Sequence, residues 1–425
     1  MPNAKPQQPF FHSSNNVLYV EQIALANIAE RFGTPCYVYS RAVITENWRA
    51  FSEQLPAPHK VCYAVKANSN LAVLQVLADL GAGFDVVSGG EIARVMRAGG
   101  KAADIVFSGV AKSDAEIRYA LELGIGQFNV ESDAELERIS AIATAMQHTA
   151  RISFRVNPDV DAKTHPYIAT GLEDNKFGIP MQEALATYQR AATLPGIKIV
   201  GADCHIGSQL TEIEPFLAAL ERMLALVDSL TEVGIHLQHI DMGGGLGVTY
   251  TDEEPPQVAS YIQAMLKRIA DYPHLSLYLE PGRAIVANAG VLLTKVEYLK
   301  FNGHKHFIIV DAGMNDLLRP SLYQAHHDIV NVAASNAPEV HGDVVGPVCE
   351  TGDFLGQNRT MRVAAGDLLA VKSAGAYGFT MSSNYNTRPR PPEIMVAGDQ
   401  AFLIRARETL EDVWRGESLI PASEG

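Results

Sequence analysis

The segment VCYAVKANSNLAVLQVLADL, residues 61–80, contains the unit that decides the fold. Its first residues are apolar or aromatic, as in a buried strand, and residues 70–80 carry apolar side chains at helical spacing. Lys66 stands in the polar turn between the two. The same order of strand, turn and helix recurs as far as about residue 283, so this segment is the first of a series.

The repeated unit predicts a (β/α)8 barrel. Eight apolar, β-branched runs are predicted to be strands, at residues 61–65, 84–87, 104–107, 127–130, 151–156, 198–204, 238–242 and 276–280. Helical patterns lie between them, among them Asn70–Leu80, Glu91–Ala98, Asp114–Leu123, Asp133–Ala145 and Gln257–Ala270. Strict alternation favours parallel strands, and eight of them close a barrel of the TIM type.

The alternation ends after Arg283. Beyond it, strand-like runs are separated by Gly, Pro and Asn, which predicts a β-rich domain over residues 284–425. The barrel is assigned to residues 36–283 and an N-terminal segment to residues 1–35. Composition does not decide which domain takes the strand-like run Val17–Val20, and we expect the N-terminal segment to pack with the β-rich domain.

Composition argues against several functional classes. The 425 residues are 47% hydrophobic, enough for a sizeable core, and their formal net charge of -14 without clustered Lys and Arg argues against nucleic-acid binding. No apolar run reaches the roughly 20 residues of a membrane span, and the polar N-terminus does not resemble a signal peptide. The four cysteines have neither metal-ligand spacing nor the density of a disulfide scaffold, so they are interpreted as reduced thiols. We expect a cytoplasmic protein that acts on a small molecule.

Reactive side chains follow several predicted strands, at the ends where barrels build their active sites. Taken singly, each has an ordinary explanation: a lysine after a strand is commonly a solvated charge, a histidine a hydrogen-bonded core residue, and a glycine run a turn. Their shared position at one face of one barrel favours a functional site instead. The residues concerned are Lys66, Asp85, His205, the run Gly243–Gly247, and Glu280 with Gly282 and Arg283.

The chemistry of these residues predicts a pyridoxal-phosphate (PLP) site. Backbone N–H groups of the run Gly243–Gly247 can approach phosphate oxygens closely because no side chain intervenes. Lys66, beside an apolar strand, is expected to be partly desolvated, which favours the neutral amine that forms a Schiff base. Glu280 is then the partner of the pyridine nitrogen, and His205 contacts the cofactor ring.

With these motifs the sequence resembles the fold-type III PLP enzymes, in particular the ornithine, diaminopimelate and arginine decarboxylase group related to alanine racemase. The likeness extends over nearly the whole chain. It implies a PLP-dependent decarboxylase that converts meso-2,6-diaminopimelate to L-lysine and CO2, the last step of lysine biosynthesis. The motifs that carry it are Tyr63–Asn68, His205–Ser208, Gly243–Gly247, Glu280–Arg283 and Gly346–Asp353.

The resemblance also implies roles for single residues. Lys66 would form the internal aldimine with the cofactor, and His205 would contact its ring. Glu280 would hold the ring nitrogen protonated, so that the ring accepts the electrons released when CO2 leaves. Cofactor binding is further assigned to Asp85, Ser208, Gly244, Gly245, Gly282, Arg283 and Tyr377.

The family likeness implies a homodimer with active sites at the interface. Cys349 and Glu350 would reach the cofactor of the partner, and Cys349 would protonate the α-carbon after decarboxylation. The ordinary alternative for Cys349 is a buried apolar thiol. Asp353 in the same motif is expected to be structural. Thr351 departs from the family pattern, in which Ser follows the glutamate, and its extra methyl group would narrow the pocket.

Substrate selectivity is expected to depend on the second carboxylate of diaminopimelate. The family grips this carboxylate at positions matched by Arg283, Arg319 and Tyr323. Glu350 would pair with the distal ammonium, and Tyr377 would contact the substrate. A site built on such pairs rejects analogues that lack the group by roughly 10⁴- to 10⁵-fold. Ornithine and lysine should therefore be poor substrates.

Two alternatives remain open. The first is a related decarboxylase of ornithine, lysine or carboxynorspermidine, and the second is a catalytically silent PLP-fold protein that regulates a homologous enzyme. No metal site is predicted, because the pairs His304 with His306 and His326 with His327 lack a third ligand. The polar loop at 159–178 is long enough to act as a lid.

Overall fold

The computed structural model describes residues 11–160 and 176–421. These residues form two compact units. The barrel unit comprises Val43–Asn288, and the β unit comprises the described residues up to Ala42 together with those from Ala289 onward. Within the described parts of the chain, no helix combines the length and the apolarity needed to cross a bilayer.

The barrel unit contains eight parallel strands in a closed ring, which confirms the predicted (β/α)8 barrel. Each strand pairs with the next along the chain, and the last, Ser276–Leu279, pairs with the first, Lys60–Ala64. The strands between these two, in chain order, are Gly83–Val86, Ile105–Phe107, Gln127–Val130, Ala150–Asn157, Ile197–Asp203 and His239–Asp241. A short strand, Ile179–Pro180, adds to the fifth.

Helices follow the strands because the chain places capping residues where the apolar runs end. Asn70, Ser88, Ser113 and Ser132 each accept a backbone N–H from the first turn of the helix that they precede. The first four barrel strands are buried at nearly every position, as expected for parallel strands covered on both faces. The helices from the domain boundary to the end of the barrel are Arg41–Ser52, Leu71–Asp79, Gly89–Arg97, Asp114–Leu123, Asp133–Ala145, Met181–Ala191, Glu214–Glu232, Val258–Ile269 and Arg283–Val286.

The β unit is built around the long strand Gly290–Phe301. Its first half pairs with Cys36–Ser40 and Leu368–Val371, and its second half pairs with His306–Val310 across a register shift. The remaining strands are Phe11–Ser14, Val17–Val20, Ile23–Ala24, Ile329–Asn331, Glu339–Val345, Phe354–Arg362, Glu393–Ala397 and Gln400–Arg405, and the helices are Leu25–Phe32, Arg319–Tyr323 and Leu410–Val413. This β-rich domain is the second part of the predicted fold class.

The domain boundaries differ from those expected from the sequence. Cys36–Ser40 was assigned to the barrel, but it pairs with Gly290–Phe301 and Glu393–Ala397 in the β unit. All five of its residues are buried, so its apolar pattern is the same as that of a barrel strand. The second boundary lies after Asn288 rather than Arg283, because the helix Arg283–Val286 still belongs to the barrel unit.

The N-terminal segment packs within the β unit. The N–H of Leu18 donates to the carbonyl of Val332 at 2.7 Å. Val20, Leu25 and Ile28 are buried in one apolar cluster with residues of the main sheet, including Leu293. Burial of such side chains contributes about 1.5–3 kcal/mol each, so the segment is part of this unit's core.

Candidate active site

Lys66 lies in a 3₁₀ turn, Val65–Ala67, directly after the first barrel strand. Its Nζ is 2.9 Å from Oδ2 of Asp85, whose side chain is fully buried in the second strand. The Lys66 side chain is 39% exposed, so the amine is oriented by an ion pair rather than desolvated as the sequence suggested. Tyr63 braces the turn, since its hydroxyl donates to the carbonyl of Asn68 at 3.0 Å.

His205 follows the sixth strand and is held beside the glycine run. The N–H of Gly244 donates to His205 Nδ1 at 3.3 Å. Burial lowers the pKa of His205 well below its ordinary value, and the nearby charges of Arg155 and Lys66 lower it further. The ring is therefore neutral and, because Nδ1 accepts, its proton is on Nε2.

The run Gly243–Gly247 needs glycine because neighbouring backbone segments pass too close to it for side chains. Gly243 and Gly245 have φ of +63° and +105°, which favour glycine. A Cβ at Gly244 would collide with the carbonyl of Glu280, and one at Gly245 would lie 2.6 Å from the carbonyl of Gly207. The N–H of Glu280 also donates to the Gly243 carbonyl at 2.7 Å. The run is thus locked between the ends of the sixth and eighth strands.

Arg283 and Ser208 lie together within the barrel unit. Nε and one terminal nitrogen of Arg283 donate to the Ser208 hydroxyl at 3.3 and 2.8 Å, and the other terminal nitrogen donates to the hydroxyl of Tyr250 at 2.7 Å. Arg283 is buried. A Cβ at Gly282 would lie 3.0 Å from those of Ala64 and Ala67, so the eighth strand end also needs a small residue there. A buried guanidinium beside a serine hydroxyl is suited to bind an anion such as phosphate.

Glu280 lies in a group of three buried carboxyls with Asp203 and Asp241. One oxygen or more from each lies within 4.8 Å of the others. Burial raises the pKa of Glu280 and of Asp203 well above the ordinary range, and each neighbouring acid raises it further. Oε1 of Glu280 has no hydrogen-bond partner among the described residues, which fits an acceptor for the N–H of a protonated pyridine ring.

Sequence reasoning missed Asp203 and Asp241. Both are the last residues of barrel strands, the sixth and the seventh. The rule that selected Asp85 and His205 from strand ends also covers them. They went unnoticed because the predicted strands 198–204 and 238–242 extended past them, so neither residue stood at a predicted strand end.

The motif Gly346–Asp353 forms a turn in the β unit. The Cys349 thiol is exposed and unpaired in any disulfide, so it is not the buried apolar thiol considered as an alternative. Its N–H donates to Oδ1 of Asn386 at 2.7 Å. The Tyr385 hydroxyl donates to Oε1 of Glu350 at 3.4 Å. Asp353 accepts the N–H groups of Met314 and Val348 at 2.6 and 2.7 Å and so holds the turn together.

The other candidates of the β unit lie on the helix Arg319–Tyr323 and at Tyr377. Ser321 in the helix donates from its hydroxyl to the carbonyl of Gly352 at 2.6 Å, which ties the helix to the turn that carries Cys349. Arg319 is buried at the first position of the helix. Tyr377 has φ of +55°, a conformation that is uncommon for a residue other than glycine.

His326 and His327, one of the two histidine pairs considered as metal ligands, have protein partners. His326 Nε2 lies 2.8 Å from Arg359, and His327 Nδ1 lies 2.8 Å from the carbonyl of Lys372. Thr351 is exposed in the turn after Glu350. Most of the predicted lid at 159–178, including His165, lies outside the described residues.

A closed parallel barrel with a lysine, a glycine run and a buried glutamate at its strand ends has the architecture of a PLP enzyme. The family model of the pyridoxal-dependent decarboxylases, for their pyridoxal binding domain, matches residues 41–287. The chain belongs to this family. Pyridoxal phosphate is accordingly its cofactor, as the sequence predicts.

The relatives make the resemblance more specific. A diaminopimelate decarboxylase of Pseudomonas fluorescens is 59% identical over 413 residues, 97% of this chain and 99% of the relative. The structure of diaminopimelate decarboxylase from Helicobacter pylori complexed with L-lysine matches with a TM-score of 0.89 at 44% identity, over 92% of this chain and 98% of that one. A lysine/ornithine decarboxylase from Vibrio vulnificus complexed with putrescine has a TM-score of 0.78 at 24% identity, over 88% and 97% of the two chains, and shares the fold.

Proposed function

We propose that this protein decarboxylates meso-2,6-diaminopimelate to L-lysine and CO2. The observation that carries the proposal is the set of groups at one end of the barrel: the Lys66–Asp85 pair, the glycine run and the buried Glu280. The diaminopimelate decarboxylases among the relatives, at up to 59% identity over nearly the whole chain, support the choice of substrate. The lysine/ornithine decarboxylase shares the fold alone, so that alternative is disfavoured.

The barrel residues would hold the cofactor as follows. Lys66 supplies the amine for its aldehyde, Asp85 orients that amine, and His205 packs against its ring. The bound cofactor supplies a conjugated cationic ring that accepts the electron pair left when the bond to the carboxylate breaks. The phosphate is assigned to Ser208, Gly244, Gly245, Gly282 and Arg283, with Tyr377 beside it.

Glu280 and His205 control charge around the ring. The positive charge of a protonated ring nitrogen would offset the effect of burial on Glu280 and favour its ionised form. The ionised carboxylate would then accept a hydrogen bond from the ring N–H and keep the ring protonated. A neutral His205, whose pKa is lowered by burial, adds no positive charge that would oppose that protonation. The two residues together favour the electron-accepting form of the cofactor.

The β unit would supply the acid and the substrate contacts. The exposed Cys349 thiol is assigned as the group that protonates the α-carbon. Arg319 and Tyr323 would bind the distal carboxylate together with Arg283, Tyr377 would contact the substrate, and Glu350 would pair with the distal ammonium. This set is what separates diaminopimelate from lysine or ornithine, because each of those lacks the distal carboxylate.

A homodimer is part of the proposal. Cys349 and Glu350 are exposed in their turn, as required if they are to reach the cofactor of a partner subunit. A cytoplasmic location is proposed as well, and the buried free thiols Cys36, Cys62 and Cys204 are compatible with a reducing compartment. Sedimentation of the purified enzyme tests the dimer directly, and a monomer with full activity would contradict it.

Turnover with defined substrates tests the function. We expect CO2 release and L-lysine formation from meso-diaminopimelate, and rates with ornithine or lysine lower by roughly 10⁴-fold or more. The Lys66→Ala variant is the control, since it lacks the amine. Equal rates with ornithine would favour the related decarboxylase, and bound cofactor without turnover on any substrate would favour the silent regulatory protein.

A further inference from the structure

Asp241 connects the glycine run to Glu280. It is the last residue of the seventh strand and is completely buried. Its Oδ1 accepts the N–H of Gly243 at 2.9 Å. The carbonyl of Gly243 in turn accepts the N–H of Glu280 at 2.7 Å. One glycine therefore joins the two acidic residues through the backbone.

Three buried carboxyl oxygens of this group lack a hydrogen-bond partner among the described residues. They are Oδ2 of Asp241, Oε1 of Glu280 and Oδ1 of Asp203. The oxygens of this group that approach most closely are all within 4.8 Å of one another. Buried like charges at such separations cannot all be ionised, because each raises the pKa of the others.

The nearby cations Lys66 and Arg155 lower the pKa values of these acids, but both also pair with other carboxylates. Lys66 forms an ion pair with Asp85 at 2.9 Å, and Arg155 lies 3.5 Å from Glu131. Burial raises the pKa of Asp241 to about 7, although the N–H that Gly243 donates to it opposes the rise. Protons shared among the acids are the simplest compensation at neutral pH.

We propose that Asp241 is a positioning residue for Glu280, carrying a proton on Oδ2 that it donates to the Glu280 carboxylate while Oδ1 accepts the Gly243 N–H. The hydrogen bond from Oδ2 keeps Glu280 ionised and oriented toward the cofactor ring. The hydrogen bond accepted by Oδ1 holds the glycine run in place. The inference rests on the proposed function for the cofactor that Glu280 faces, and it adds a residue that does not touch that cofactor.

The competing explanation is a cation site. Three carboxylates at this spacing could also bind a divalent cation, and that arrangement requires ionised Asp241. The two explanations make opposite demands on the side chain. An asparagine imitates the protonated acid, because its oxygen accepts one N–H and its amide donates to Glu280, whereas it is a poor substitute for a charged ligand.

The test compares Asp241→Asn with Asp241→Ala in the holoenzyme. We expect D241N to keep the absorbance spectrum of the bound cofactor, and kcat and KM within about threefold of the wild type. D241A should alter the spectrum and lower kcat by about 10- to 100-fold, with a smaller change in KM. A D241N variant as impaired as D241A would overturn the proposal, and so would a D241A variant with an unchanged spectrum and kcat.

Infrared spectroscopy and a metal-addition experiment test the proposal even if a variant fails to fold. Infrared spectroscopy at neutral pH should show a protonated carboxyl band in the wild type that D241N lacks, whether or not D241A folds. Absence of that difference would contradict the proposal, as would a spectrum that changes on adding Mg²⁺ or a chelator. Failure of the proposed function is distinct, because wild-type protein would then bind no pyridoxal phosphate or release no CO2.

Asp316→Asn in the β unit is the matched control. Asp316 is also buried, and it accepts the N–H of Gly313 at 2.9 Å in the same way that Asp241 accepts that of Gly243. Burial likewise raises the pKa of Asp316 to about 7. Its substitution should leave the cofactor spectrum unchanged. A spectral change in D316N as large as that in D241A would show that the readout reports general damage, and would remove the support for Asp241.

Discussion

The barrel unit and the β unit place their candidate groups in different environments. In the barrel unit, the carboxyl groups assigned to the site are buried at or next to strand ends: Asp85, Asp203, Asp241 and Glu280. In the β unit, Cys349 and Glu350 are exposed in a turn. Buried groups are oriented by the backbone and by one another, whereas exposed groups depend on what approaches them. Substitutions of the buried barrel groups should therefore disturb the cofactor, and those of Cys349 and Glu350 should alter turnover with the cofactor still bound.

The largest effect is expected for Lys66→Ala. Loss of the amine that binds the cofactor aldehyde should lower kcat by about 10⁴-fold or more and remove the absorbance of covalently bound cofactor. Lys60→Ala is a matched control, because Lys60 lies at the other end of the same strand and also pairs with an aspartate, Asp104, at 2.9 Å. Turnover and spectrum in K66A equal to those in K60A would contradict the assignment.

The position of Lys66 shows how far the sequence alone could lead. An apolar run followed by a turn and an amphipathic helix is a local pattern, so all eight barrel strands were predicted to within about two residues. Cys36–Ser40 was misassigned because all five of its residues are buried. Such a continuous apolar run does not distinguish a barrel strand from a central strand of another sheet. Which strands a segment pairs with depends on residues far away in the chain, so a five-residue pattern does not reveal it.

The same limit applies to the candidate site. The strand-end rule located Lys66, His205 and Glu280, since it follows from barrel geometry. Cys349 and Arg319 came from family resemblance, because a turn between irregular strands has no comparable rule. The ion pair of Lys66 with Asp85 was not foreseen, as it requires knowing that the first two strands are neighbours with Ala64 opposite Asp85.

A smaller effect is expected for Cys349→Ala. Without the proposed acid, kcat should fall by about 10²- to 10³-fold, while the cofactor spectrum stays that of the wild type. Cys349→Ser should lie between the two, because a hydroxyl donates a proton less readily than a thiol. Loss of bound cofactor in C349A would break the distinction between the two units, and an unchanged kcat would exclude Cys349 as the acid.

Arg319→Lys should reduce selectivity more than it reduces catalysis. A lysine keeps the charge but loses the two-point contact with a carboxylate, so we expect KM for diaminopimelate to rise by about 10- to 100-fold, with kcat changed less than fivefold. Steady-state kinetics with diaminopimelate and lysine measure both. Arg415→Lys, at a highly exposed position, is the control. A fall in kcat without a change in KM would place Arg319 outside the substrate contacts.

The smallest effect is on the pH dependence of stability, and it tests whether Asp316 is protonated in the folded state as Asp241 is proposed to be. Burial raises the pKa of Asp316 from 3.8 to about 7, so the folded state binds its proton more tightly than the unfolded state does. The resulting stabilisation is complete below about pH 4 and is lost as the pH rises through 7. Between pH 5 and pH 8 the loss is on the order of 2 kcal/mol. Asp316→Asn has no proton to lose, so thermal unfolding of D316N should depend less steeply on pH than that of the wild type. If the stability of D316N and that of the wild type changed with pH in parallel, Asp316 would already be ionised in the folded state. It would then differ from Asp241, which is proposed to carry a proton.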